Sequence, residues 1–288
     1  MRAPAAAGPA TLLGVALVAV AVGCSRRREL APPGPVASEL VALAADLGSA
    51  PSDVADAWRA LDAIADRVDR HHRRTHGDWV DDLNAVVFGD LGYAREIESR
   101  DVRFFRLPSV IADRRGSCLG LGALYLALGE RLGVGLDGVM VPGHFFVRTR
   151  GRVPRNVELL RRGEAMSDEW YRDRYGPWPA GADEYLRPLT PSEMAAVHWF
   201  NAGNTLREAR DLRSAGLAYA RAVAEFPTFA EAQASLGAVR QLEGALEDAE
   251  AAYGDAARAR ADLPGLAENL ALLKREQQRR TSDRRHTR

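Results

Sequence analysis

Arg114-Arg-Gly-Ser-Cys-Leu-Gly-Leu-Gly-Ala-Leu-Tyr-Leu-Ala-Leu-Gly-Glu-Arg-Leu132 is the stretch on which the fold turns. From Cys118 onward the residues are apolar on nearly every side of a helix, which marks the helix as buried. Ser117 is placed to cap it. Cys118 then falls in the first turn, beside unpaired backbone N–H groups and against the positive end of the helix dipole. That position favours thiolate, the form of cysteine that attacks. The same N–H groups can hold the oxyanion of a tetrahedral intermediate.

Downstream, Gly138-Val-Met-Val-Pro-Gly-His144-Phe-Phe-Val-Arg-Thr149 alternates and is rich in β-formers, with a break at Pro142-Gly143. A turn at Arg150-Gly151-Arg152 returns the chain through Val153-Pro-Arg-Asn-Val-Glu158. A hairpin centred on Gly151 sets His144 directly opposite Glu158, with Asn156 on the same face two residues away. A helix-start cysteine, a strand histidine and a carboxylate on the next strand make a nucleophile, a base and a group that orients the base.

Arg115-Gly-Ser-Cys118, Gly133-Val-Gly-Leu-Asp-Gly-Val139, Pro142-Gly-His-Phe-Phe-Val147 and Asn156-Val-Glu158, preceded by Asp82-Leu-Asn-Ala-Val-Val-Phe88, resemble the bacterial branch of the transglutaminase-like superfamily that carries C-terminal tetratricopeptide repeats. The resemblance implies a papain-like α+β fold and a Cys-His-Asp triad, which maps onto Cys118, His144 and Glu158. The acid is Glu where most of the superfamily has Asp, which leaves Asn156 as an alternative orienter. Leu119 stands where an aromatic often follows the nucleophile.

The C-terminal third repeats itself at a spacing of 34 residues: Gly203 recurs as Gly237, Ala215 as Ala249, Tyr219 as Tyr253 and Ala222 as Ala256. Period and residue types resemble the tetratricopeptide repeat, a pair of antiparallel helices. Thr190 and Glu193 form a capping box around Pro191. The pattern predicts helices over Pro191–Ala209, Leu212–Glu225, Phe229–Gln241 and Leu246–Arg260, with a capping helix from Leu266 to Gln278. Upstream, Val54, Trp58, Leu61, Ile64 and Val68 recur at helical spacing behind Ser52, a candidate N-cap.

At the N-terminus, Arg2 precedes an apolar run from Ala10 to Val22 that ends at Gly23-Cys24. A run shorter than the ~20 residues that span a bilayer, followed by a cysteine, is expected to be a lipoprotein signal peptide with Cys24 as the lipid-attachment point. The Pro-rich stretch after it reads as a tether. The expected organisation is α+β: a signal peptide at 1–23, acylated Cys24 and tether over 24–51, a papain/transglutaminase-like domain over 52–190, an all-α tetratricopeptide-type region with its capping helix over 191–280, and a disordered basic tail at 281–288. The expected location is the cell envelope, lipid-anchored on the periplasmic face of a membrane.

With Cys24 acylated, Cys118 is the only free thiol. A formal net charge of zero argues against a nucleic-acid partner. His71, His72 and His76 raise a metal reading, against which stands the plain suitability of histidine for the end of a polar helix. Trp170 and Trp178 either roof the cleft or seal the domain junction. Two functional readings follow. One is a cysteine-dependent acyl-transfer enzyme, hydrolase or transferase, that needs neither metal nor organic cofactor. The other is an idle scaffold whose repeats bind a peptide or envelope partner.

Overall fold

The computed structural model describes residues 30–178, 182 and 184–286, with side chains through Asp283. Cys24 and the expected signal peptide lie outside the described residues. The chain opens with α1 (Pro35–Asp46) and α2 (Pro51–Thr75). Helix α3 (Trp79–Asn84) follows, capped by Asp78 through Val80 and Asp81 N–H, and continues into a π-helical turn over Ala85–Asp90. Two-residue strands β1 (Ala94–Arg95) and β2 (Arg115–Gly116) pair in parallel and close a loop that contains α4 (Leu107–Asp113).

Helix α5 (Cys118–Leu132) then runs through the centre of the molecule. Ser117 caps it by accepting from Gly120 N–H at 3.3 Å, and nearly all its residues from Leu119 to Leu132 are buried, as the apolar wheel requires. Helices α1, α2 and α4 cover one side. The other side meets a four-stranded antiparallel sheet in sequence order: β3 (Leu136–Val141), β4 (His144–Thr149), β5 (Asn156–Glu158) and β6 (Glu164–Met166). Gly122 allows this approach, because a Cβ there would collide with the Phe145 ring. Helix α6 (Asp168–Tyr175), capped by Ser167, packs on the opposite face of the sheet.

The C-terminal third is all helical: α7 (Pro191–Glu208), α8 (Leu212–Glu225), α9 (Ala230–Leu242), α10 (Leu246–Ala259) and α11 (Leu266–His286). The Thr190/Glu193 capping box is formed as expected. The residues that recur at a spacing of 34 make equivalent contacts. Gly203 lies against the Tyr219 ring and Gly237 against the Tyr253 ring, each too close for a side chain. Leu186 and Leu189 donate backbone N–H groups to Met140 and Gly138 carbonyls, so the segment leading into α7 lies along the free edge of β3.

Three expectations need correction. Within the stretch assigned to a tether, Pro35–Asp46 is a helix with Ala37, Leu40, Val41, Leu43 and Ala44 buried. Its N-terminus is held by the Glu130 carboxylate, which accepts from Val36 and Ala37 N–H at 3.0 and 2.9 Å, a favourable place for negative charge. Helix α2 starts two residues earlier than read, with Pro51 at its first position and Ala50, not Ser52, as N-cap. At the far end, α11 continues through residues 281–286, where a disordered tail was expected. Among the described residues no helix is long and apolar enough to cross a membrane.

Candidate active site

The start of α5 and the start of β4 meet. Cys118, half-buried, lines the same cleft as His144 and lies close enough to raise the pKa of its imidazole. The other end of the imidazole is committed: His144 Nε2 lies 2.7 Å from Glu158 Oε2, with both side chains buried. That leaves Nδ1 as the nitrogen that faces the thiol. Glu158 is itself fixed on three sides. Besides His144 it accepts from Tyr171 Oη–H at 3.1 Å and, through Oε1, from Leu160 N–H at 3.0 Å.

The strand register differs from the one expected. The turn between β4 and β5 is longer than a tight turn on Gly151. Val147 faces Val157 and Arg148 faces Asn156, where a turn centred on Gly151 would set Arg148 opposite Pro154. A slip of two residues preserves the face of every side chain, because strand side chains alternate with period two. It changes the partner, though: Glu158 now lies diagonally from His144. Diagonal neighbours are ~7–8 Å apart, within reach only of long side chains. The extra methylene of Glu over Asp is what bridges that distance. Asn156, the alternative orienter, is occupied elsewhere. Its Oδ1 accepts from Arg148 Nε at 2.6 Å and its Nδ2 donates to Asp168 at 2.8 Å and to the Met166 carbonyl at 3.0 Å.

Two tyrosines that the sequence reading did not single out complete the site. The Tyr175 ring stacks on His144 with centroids 4.5 Å apart and planes within 2°. Tyr171, four residues earlier on α6, stacks on Phe146 at 3.9 Å while its hydroxyl holds Glu158. Ser167 as N-cap followed by Tyr171 and Tyr175 at i, i+4 spacing was the available signal. Trp170 packs edge-on against Tyr171, and Trp178 against Tyr185.

Burial alone would depress the basicity of His144. Hydrogen bonds to Cys118 and Glu158, with their negative charge, outweigh it and raise the pKa to about 9. Burial and the neighbouring Glu158 charge push the Tyr171 phenol far up, so it stays a donor. His71, His72 and His76 gather elsewhere. Asp82 accepts from His72 Nδ1 at 2.7 Å and lies 3.5 Å from His71 Nε2, while His72 stacks on Trp79 and His76 caps the end of α2.

In front of Cys118 and His144 opens a cleft of about 380 Å³. It is lined by residues of the Ser99–Phe105 loop, the β3–β4 turn and α7, together with Phe229 and Glu231. The loop is fixed at both ends. Phe104 carbonyl accepts from Ser117 N–H at 2.8 Å, and Arg100 carbonyl accepts from Thr205 Oγ1–H at 2.6 Å.

Residues 55–196 match the model of the transglutaminase-like superfamily, and over that range the chain carries a domain of that superfamily. A UPF0162 protein from Xylella fastidiosa (strain Temecula1 / ATCC 700964) is 39% identical over 122 residues, which cover 40% of this chain and 42% of the relative. A UPF0162 protein from strain 9a5c of the same organism matches equally. The chain thus spans less than half the length of these curated relatives.

The raised His144 pKa has a direct test. The proton on His144 stabilises the folded state fully below the ordinary histidine value of ~6.5, and this stabilisation is lost as pH rises through about 9. Imidazole NMR titration is expected to place His144 near that upper value. Glu158→Gln removes the charge that supports the imidazolium and is expected to lower the midpoint. Glu158→Asp, too short for the diagonal, is expected to lower it as well.

Proposed function

We propose that this protein is a membrane-anchored, cysteine-dependent acyl-transfer enzyme, a peptide or amide hydrolase or a transglutaminase-like transferase. The observation that carries this reading is the chain of contacts from Cys118 through His144 to Glu158 at the mouth of a cleft. Cys118 Sγ attacks the acyl carbon as a thiolate, with its proton on His144 Nδ1. The carbonyl electrons move onto oxygen, and the backbone N–H groups of the first α5 turn receive the oxyanion. As the tetrahedral intermediate collapses, His144 gives its proton to the leaving amine and a thioester remains on Cys118. Water or a second amine, deprotonated by His144, then attacks the thioester and releases free thiol. Glu158 keeps the imidazole oriented and supports its positive charge throughout. Tyr175 covers one face of the ring.

The same reading makes Cys24 the acylated N-terminal residue of an exported lipoprotein, held at the periplasmic face of a membrane. The helix pairs α7–α8 and α9–α10 are read as tetratricopeptide-type repeats, on the strength of their spacing and their equivalent Gly–Tyr packing.

Alkylation of Cys118 by iodoacetamide as a function of pH tests the nucleophile. An ordinary thiol titrates near ~8.5. Reaction is expected to persist at about pH 6, to be slowed at least tenfold by His144→Ala, and to vanish in Cys118→Ala. A thiol silent until alkaline pH would overturn the enzyme and leave the binding scaffold. Any acyl-transfer activity should fall as pH rises through about 9, where His144 loses the proton that the leaving amine needs. For the anchor, Cys24→Ser is expected to move the protein from the membrane fraction to the soluble fraction; continued sedimentation with membranes would exclude lipidation at Cys24.

A further inference from the structure

The whole chain balances 39 basic against 39 acidic residues, yet one face of the fold is strongly one-sided. Two depressions of about 390 and 320 Å³ adjoin at Tyr93 and share no lining residue with the cleft. Arg95, Arg161 and Arg162 border the first, and Arg67, Arg70 and Arg114 the second. All six are exposed. Two are neutralised in place: Arg161 pairs with Glu164 at 2.6 Å and Arg67 with Asp90 at 3.1 Å. Arg70, Arg95, Arg114 and Arg162 have no carboxylate partner among the described residues.

Three of these four are anchored by main chain. Arg95 donates to the Leu160 carbonyl at 3.3 Å, Arg114 to the Leu91 carbonyl at 3.2 Å and Arg162 to the Phe88 carbonyl at 2.6 Å. A guanidinium carries five N–H donors in a rigid fork, so each is held at one corner and keeps donors for an anion. Arg114 follows α4 and Arg162 follows the 3-10 turn Leu159–Arg161, both left-handed with φ of 52° and 57°. Glycine makes such a turn at lower cost. What arginine adds at both places is a bond back to the main chain and a positive charge.

A single small anion is satisfied by one or two forks; six arginines spread over two adjoining depressions match an array of anions. Screening limits attraction between exposed charges to about 8 Å at physiological salt, so that array must already be close by. With Cys24 acylated, a membrane is close by: however it runs, the chain from Cys24 to Leu30 spans no more than ~20 Å. A net charge of zero offers no such long-range recruitment to a polyanion free in solution.

We propose that this arginine face binds a surface of anionic phospholipid headgroups, which lays the anchored domain on the membrane. The purpose of the face rests on the reading of Cys24 as the lipid anchor, but the binding itself needs no acyl group. A high-salt wash releases a chain held by arginines alone and leaves an acylated chain in the membrane fraction, so the two can fail separately.

The test is co-sedimentation of the full chain carrying Cys24→Ser with vesicles of phosphatidylcholine alone and with vesicles that contain about 30% phosphatidylglycerol. The readout is the ratio of the two partition coefficients, in which any contribution of the apolar run at residues 10–22 cancels. Preference for the anionic vesicles of at least tenfold is expected at low salt, falling towards none at about 0.5 M NaCl. Arg70→Gln and Arg162→Gly should each reduce the ratio about fivefold, the effect of losing one basic residue at an anionic surface. Arg162→Gly suits the left-handed backbone there, and circular dichroism and Tm will verify that both variants keep the fold. Arg213→Ala, on α8 and outside both depressions, should change the ratio less than twofold. Equal partition into the two kinds of vesicle, or a ratio that moves less than twofold in both Arg70→Gln and Arg162→Gly, overturns the proposal whatever becomes of Cys24. So does loss of the preference on adding about 10 mM inorganic phosphate at constant ionic strength, which would make the face a site for a free anion.

Discussion

A helix that is apolar on all sides cannot rest on a surface, and most of this architecture follows from that constraint on α5. Burying Leu121, Leu124, Leu128 and Leu132 at once requires α1, α2 and α4 on one side and the sheet on the other. Full burial of a leucine side chain is worth ~1.5–3 kcal/mol, so each covering layer is supported by several such contacts. The end of α5 has its polar groups taken by α1 and the segment before it, with Glu130 holding Val36 and Ala37 N–H and the Arg131 carbonyl accepting from Ala31 N–H. At its start Ser117 takes the Gly120 N–H, and Ser117, Cys118 and Leu119 line the cleft. The helix that organises the core is thereby the helix that presents the thiol.

The second determinant is a chain of single-purpose hydrogen bonds. Leu160 N–H and Tyr171 Oη–H fix Glu158, Glu158 fixes Nε2 of His144, and Nδ1 is left to the thiol. Stacking on Tyr175 sets the plane of the ring. A buried carboxylate with no such partners would be costly to bury; here its oxygens meet Leu160 N–H, Tyr171 Oη–H and the imidazole. The long carboxylate is a consequence of register. With the β4–β5 turn extended by two residues, an Asp would fall short of the histidine it must reach.

How much of this was legible in the sequence depends on whether the signal was local. Ser117 as a cap, the Thr190/Glu193 box and the helices of the C-terminal third were legible, because caps and periodicity act within a few residues. The face shared by His144 and Glu158 survived a wrong register since strand side chains alternate and the slip was even. Helix α1 was hidden by Pro32, Pro33 and Pro35, read as a tether; what makes it a helix is Glu130, almost a hundred residues away, at its N-terminus. Tyr171 and Tyr175 were announced only by their i, i+4 spacing behind Ser167, while their stacking and the one hydrogen bond to Glu158 act across the sheet, beyond the reach of a local signal. The role of α7 as a cleft wall was equally silent, since it depends on docking between two regions rather than on either alone.

The claim on which the account rests is that Cys118, His144 and Glu158 work as one acyl-transfer unit, and the most direct measurement is the mass of the intact protein after brief reaction with p-nitrophenyl acetate at neutral pH. The account predicts a single acetyl group, located on Cys118, that forms and then decays by hydrolysis, with formation strongly slowed in His144→Ala and partly slowed in Glu158→Gln. An unmodified Cys118, or an acetyl adduct that forms at the same rate without His144, would contradict it.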